Sequence, residues 1–433
     1  MFDFKEHKKR TEWYCQDRLG VFVHWGLYSI VGEGEWSRTN RRFSNADYHK
    51  LMEEFTAEDY NPRDWARLAK AAGMKYAVMT AKHHDGFCLF DSKYTDFKCT
   101  NTPAGRDLIK EYVEAFRAEG LKVGIYYSLL DWDHPDYPRD RIHPNRQEGV
   151  DRFEGVNFEN YVEYMHLQVK ELLTNYGKID LLWFDFSYDD MVGEMWKATE
   201  LTRMIRNLQP HILIDSRLDA YEYYFGSLGE ENPKEYCGDF LGAECIVPEH
   251  GFKNYKGEFI PWECCLTISD SWSHNHKDTG AKSLKQIVRC TANVVSKGGN
   301  LLWGVAPTPK GDIPVDTKKA LLEFGEWIKL NGESIYGCTA ADRPKPENGF
   351  ITAKGKTLYY HLIDKNVSLD PLYGIHPNEV ESISLLADGT VPPIPKGAEH
   401  IVTYHYSDTI YINLLSNSKL PDPIDTVVKI QLK

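Results

Sequence analysis

Four short apolar runs in this chain end in side chains that can do chemistry. GVFV leads into His24 and Trp25, YAVMTAK into His83, His84 and Asp85, GIYYS carries Tyr126 and Tyr127, and LLWF ends in Asp185. Singly, a terminal histidine or aspartate caps a helix or satisfies a loop as readily as it binds anything. Their recurrence at the same end of successive runs is the informative feature. Imidazoles, indoles, phenols and an isolated carboxylate suit a sugar, because aromatic faces cover the C–H side of a pyranose while His and Asp bridge its hydroxyls. Glycosyl transfer to water then needs two carboxylates. In a retaining enzyme they stand roughly 5–5.5 Å apart, one attacking the anomeric carbon and the other protonating the leaving oxygen.

The elements that must carry these residues alternate strand and helix. Apolar runs at 20–26, 75–86, 122–128, 179–186 and 211–216 are separated by helical patterns. In NPRDWARLAKAAG, Asn61 is an N-cap, Pro62 suits the first turn, Trp65, Leu68, Ala69 and Ala72 recur at helical spacing, and Gly73 ends the element. DLIKEYVEAFRAEG places Ile109, Tyr112, Val113 and Phe116 on one face before Gly120. This alternation predicts an α/β fold with a (β/α)8-like barrel over residues 1–337, whose active site is built at the carboxyl ends of the strands. No G-x-G-x-x-G follows the first strand, which argues against a dinucleotide-binding sheet. Residues 217–275 read as loop, so strands there are not assigned. From 338 to 433 short alternating runs replace helical periodicity and predict a small C-terminal antiparallel β-sandwich.

The chain has 433 residues, 42% hydrophobic and 27% charged, with a formal net charge of -13. That charge repels nucleic-acid backbones and anionic membrane surfaces, so the expected partner is a small neutral ligand, with no nucleic acid and no membrane. MFDFKEHKKRTEWY lacks the apolar stretch of a signal peptide, and nine cysteines show no C-x-x-C pair. Both features predict a cytoplasmic protein with reduced thiols.

Eight blocks then occur in a telling order: LGVFVHWGLYSI, EW at 35–36, KHHDGF, YYSLLDW, LLWFD, GDFLGAE, WECCLTISDSW and NLLWGVAPTPKG. Over residues 10–335 the chain resembles the family 29 glycoside hydrolases, the alpha-L-fucosidases. The resemblance implies a retaining, exo-acting hydrolase that removes terminal alpha-L-fucosyl residues from glycans or oligosaccharides without a cofactor. It places Asp185 as nucleophile and Glu244 as acid/base, with Glu263 the alternative for the second role. His24, His83, His84, Tyr127, Trp183 and Trp272 match residues that hold the sugar, and Glu35 and Trp36 join them, Glu35 at a position that assists in some members. Ser273 and His274 after SDSW, and LLWGVAP near 303, depart from the usual pattern and bear on substrate preference.

Two other readings remain open. A sugar-binding protein could keep this barrel without turnover. A metal-dependent hydrolase could draw on His83, His84, Asp185, His274 and His276, but strand alternation predicts that adjacent His83 and His84 face opposite ways, and no H-E-x-x-H is present, so no metal is expected.

Overall fold

The structure, a computed structural model, describes residues 2–221, 224–364, 369–392, 408–413 and 420–433. One of the short alternating runs expected to form the C-terminal sandwich, HIVTYHYS at 400–407, lies outside these residues.

Eight strands form the larger unit: β1 (Leu19–Val23), β2 (Tyr76–Lys82), β3 (Lys122–Ser128), β4 (Leu181–Asp185), β5 (Leu213–Ile214), β6 (Leu241–Glu244), β7 (Trp262–Thr267) and β8 (Asn300–Val305). They neighbour one another in the order β5-β4-β3-β2-β1-β8-β7-β6, and every pair is parallel. A parallel bridge between Asp215 and Phe240 joins the two outer strands and closes the ring. The strand runs are apolar on both sides because both sides are covered. Phe22, Val78, Tyr126, Trp183, Cys265 and Leu302 pack together inside the ring, whereas Val21, Met79, Ile125, Leu182 and Phe184 belong to the layer that meets the helices.

Helices Pro62–Ala71, Leu108–Ala118, Phe158–Asn175, Ala198–Leu208, Leu284–Val295 and Val315–Asn331 supply that outer layer. The first begins as its sequence predicts: the Asn61 side chain accepts from Asp64 N, and Pro62 opens the helix. Gly73 then turns the chain at φ +82°, a conformation that costs glycine little. Among the described residues, the connections after β5 and β6 contain no α-helix.

Where helix packing is missing, the fold relies on a buried charge. Asp239, fully buried, accepts from Arg10 Nη2 at 2.8 Å, from Arg206, and from Ile214 N at 2.8 Å. One carboxylate thereby ties β5 to the N-terminal helix Phe4–Asp17 and to the helix Ala198–Leu208. The same N-terminal helix plugs the amino-terminal mouth of the barrel. Tyr14 stacks near Phe240 and Tyr76, and Asn300 Nδ2 donates to Tyr14 O at 2.8 Å.

Beyond Ser334 the chain turns to antiparallel structure. Strands β9 (Thr339–Ala340), β10 (Gly349–Lys354), β11 (Thr357–Leu362), β13 (Val380–Leu385) and β15 (Thr426–Leu432) form one sheet in the order β13-β15-β11-β10-β9, and β12 (Leu369–Tyr373) pairs with β14 (Thr409–Asn413) in a second. Leu358, Tyr360, Val428 and Ile430 of the first sheet share a core with Leu372, Ile410 and Ile412 of the second, which makes the two sheets the layers of a sandwich.

Removing one member of a buried charge cluster leaves its partners uncompensated, at a cost of about 3–5 kcal/mol. Asp239→Ala is expected to lose about that much stability in urea unfolding, far more than removal of the exposed Glu33–Arg41 pair.

Candidate active site

At the carboxyl ends of the strands a pocket is lined by Phe22, His24, Glu35, Trp36, His83, His84, Tyr126, Trp183, Asp185, Phe186, Glu244, Cys265 and Trp272. Of the eleven residues to which the family resemblance gave a role, nine meet here. Tyr127 and Glu263 do not.

Asp185 is the last residue of β4. Its Oδ2 accepts from Tyr126 OH at 2.6 Å, its Oδ1 lies 3.3 Å from Arg217 Nη1, and His84 Nε2 stands 3.7 Å from Oδ2. Glu244 ends β6, and its Oε2 takes Arg217 Nη2 at 2.8 Å. One guanidinium therefore lies between the two carboxylates, and it also sits 4.9 Å above the Trp183 ring. Burial raises the Asp185 carboxyl to about 6, Arg217 opposes the rise, and the Glu244 charge adds to it. The Asp185 side chain is 13% exposed and that of Glu244 41%, so the inner carboxylate is shielded while the outer one faces solvent. Both are followed by a left-handed residue, Phe186 at φ 78° and Cys245 at φ 58°, which ends each strand abruptly.

The imidazoles pack as a group. His83 stacks on Tyr126 with centroids 5.4 Å apart and planes 8° from parallel, and His24 lies 5.9 Å from His83 and 5.1 Å from Trp272. Burial pushes His24 down to about 3 and His83 and His84 well below the usual histidine range, so all three rings are neutral at physiological pH. His83 and His84 do not face opposite ways, contrary to the expectation from strand alternation. The β2 register slips between Thr80 and Lys82, and Gly86 N bonds back to His83 O, so both rings turn into the pocket 4.1 Å apart. A buried Lys82–Asp131 pair at 2.9 Å braces this corner, and Ser128 Oγ meets His84 Nδ1 at 2.7 Å. With Asp185, the two histidines present ligating atoms all within 4.8 Å of one another.

Aromatic rings and a third carboxylate complete the walls. Trp36 packs 5.2 Å from His84 and 5.6 Å from Phe186. Glu35, 8% exposed, accepts from Ser273 N at 3.2 Å, and burial raises its carboxyl. Trp272 lies so close to β8 that a Cβ on Gly304 would stand 2.8 Å from its ring. The departure at LLWGVAP thus makes room for the tryptophan.

Tyr127 belongs to the outer layer, where its hydroxyl donates to Gln168 at 2.7 Å. Its neighbour Tyr126 pairs in register with Trp183 and shares the inward face. Period-two alternation from Asp185 back to Trp183 and across to Tyr126 was the available signal. Glu263 sits near the amino-terminal end of β7, on the far side of Trp183. It accepts from Tyr14 OH at 2.8 Å, Tyr76 OH at 2.5 Å and Trp183 Nε1 at 3.1 Å. With these donors it cannot reach a leaving group. It holds the pocket floor instead. Arg217, which no motif marks, directly follows the HILIDS run at 211–216.

Paired carboxylates at the top of a parallel barrel, ringed by indoles and neutral imidazoles, define a glycoside hydrolase site. A family model described as Alpha-L-fucosidase matches residues 2–333. Tissue alpha-L-fucosidase of Bos taurus is 29% identical over 391 residues, 84% of this chain and 76% of that protein. Among solved structures, alpha-L-fucosidase isoenzyme 1 from Paenibacillus thiaminolyticus superposes with a TM-score of 0.92 at 49% identity, covering 99% of this chain and 100% of that one. A Bacteroides thetaiotaomicron alpha-L-fucosidase, trapped as a covalent intermediate with 2-fluoro-fucosyl fluoride, superposes with a TM-score of 0.81 at 26% identity over 98% and 96% of the two chains. The chain belongs to the alpha-L-fucosidase family of retaining glycoside hydrolases.

Glu263→Ala is expected to lower the melting temperature and raise KM, because it leaves two phenols and the Trp183 indole unpaired. Azide is expected not to restore its kcat. Glu263→Gln, which keeps an acceptor, should recover most of the stability.

Proposed function

We propose that this chain hydrolyses terminal alpha-L-fucosyl residues with Asp185 as nucleophile and Glu244 as acid/base. The observation that carries the assignment is the shared Arg217 between the two strand-end carboxylates. Asp185 Oδ attacks the anomeric carbon as the glycosidic C–O bond breaks, and Glu244 gives its proton to the departing oxygen. Glu244 then takes a proton from water, whose oxygen displaces Asp185 and leaves the sugar with retained configuration. Tyr126 and Arg217 hold Asp185 in place for the attack. His24, His83 and His84, neutral and buried, are suited to hydrogen bonds with hydroxyls. Trp183 and Trp272 offer faces to the ring and its methyl group, and Glu35 and Trp36 close the rim.

A second reading of the proton donor is favoured by one feature: burial raises the Glu35 carboxyl, as a general acid requires. Release of 4-nitrophenol from its alpha-L-fucoside separates the two. Asp185→Ala is expected to lose activity by 1000-fold or more, about 4 kcal/mol of barrel-top stabilisation, and Glu244→Ala, but neither Glu35→Ala nor Glu263→Ala, is expected to regain turnover with azide. Rescue of Glu35→Ala alone would transfer the role to Glu35. Saturable fucose binding without wild-type turnover would favour a binding protein.

Because Asp185 must be ionised to attack, kcat/KM is expected to fall as pH drops through about 6. Arg217 favours the ionised form. Arg217→Gln is therefore expected to move this acid limb to higher pH, which a pH–rate profile measures directly.

The aromatic, imidazole and carboxylate side chains that line the pocket support a neutral fucosylated glycan as the partner rather than nucleic acid. No helix among the described residues is long and apolar enough to cross a membrane. All nine cysteines are free thiols, which supports a cytoplasmic location.

A further inference from the structure

We propose that His83, His84 and Asp185 also form a site for a borderline divalent ion such as zinc, and that zinc held there excludes the sugar. The three side chains present ligating atoms within 4.8 Å of one another. His84 Nε2 and Asp185 Oδ2 are 3.7 Å apart, close to the edge of about 3.3 Å that a tetrahedron with ~2.0–2.1 Å bonds requires. Ser128 Oγ, 2.7 Å from His84 Nδ1, is the outer partner that a metal-bound imidazole normally has. His83 is 4% exposed and its Nδ1 has no hydrogen-bond partner, so the ring is held by packing and can turn a nitrogen to an ion without breaking a bond there.

Two imidazoles and one carboxylate select zinc or copper(II) over magnesium and calcium, which take mainly oxygen ligands. Three protein ligands leave a fourth position open toward the pocket. Arg217 disfavours a cation beside Asp185, and Glu244 on the other side of the guanidinium offsets it. An ion in this place takes the Asp185 oxygen that would attack carbon, so zinc acts as an inhibitor and not as a cofactor. The competition rests on the sugar reading of the pocket. The metal binding does not.

The test is calorimetric titration of zinc chloride into the full chain in a non-coordinating buffer, with and without saturating L-fucose. One zinc per chain is expected, weakened at least about tenfold by fucose, by His83→Asn and by His84→Asn, and about tenfold by Ser128→Ala. His276→Asn, in the surface His274–His276 pair, should change nothing, and magnesium should give no binding heat. Should either histidine variant fail to fold, Asp185→Asn and the visible spectrum of cobalt(II) bound to the wild type read the same site. Zinc affinity that survives in well-folded His83→Asn and His84→Asn, or that disappears in His276→Asn, overturns the site, and zinc that fucose fails to weaken overturns the exclusion. A wild type that binds zinc at the histidines yet turns over no fucoside would sink the fucosidase reading and leave the metal site standing.

Discussion

Bringing two carboxylates together at the mouth of a pocket costs repulsion and desolvation, and the Arg217 guanidinium between them offsets part of that cost. Its two terminal nitrogens reach Asp185 at 3.3 Å and Glu244 at 2.8 Å while its plane lies over Trp183. Without it, the burial that raises the Asp185 carboxyl, and the Glu244 charge that adds to the rise, would lose the strongest group opposing them. A lysine could supply the charge but not two fixed donors directed at two acceptors. The geometry of the reaction thus depends on a residue that itself touches no bond that is made or broken.

The supports behind this triad form a chain running down the barrel. Trp183 is held from below by Glu263, and Glu263 by two tyrosines, one of them from the N-terminal helix. His84 is held by Ser128 and by the chain around the Lys82–Asp131 pair. Trp183 is therefore positioned by buried polar contacts whose other ends lie near the opposite mouth, whereas His84 is held from its own face. Such contacts are costly when incomplete, and both oxygens of the Glu263 carboxylate have donors.

Much of the architecture was legible because its signals are local. Asn61, Pro62 and Gly73 mark a helix by capping chemistry alone, and the apolar runs at 20–26 and 122–128 announce strands covered on both faces. The barrel and the appended sandwich followed from that pattern. Strands β6 and β7 were harder to read, since both lie in the loop-rich stretch 217–275 and, among the described residues, no α-helix separates them. Tyr127 was chosen over Tyr126 because adjacent tyrosines look alike until the register with Trp183 is known. The histidine pair failed for the opposite reason: alternation was applied one residue past the point where the strand stops. The role of Glu263 depends on partners 187 and 249 residues away, a separation no motif can encode.

The left-handed residues after Asp185 and Glu244 bear on how this site can change over evolutionary time. Phe186 and Cys245 each place a residue with a Cβ at positive φ, where backbone strain is tolerated only because the surroundings enforce it. An insertion beyond either residue lengthens a surface loop, but one before it moves a carboxylate off the barrel rim. The loops beyond these two pivots are therefore free to diversify toward new aglycones, while the pivots fix the reacting groups on the scaffold.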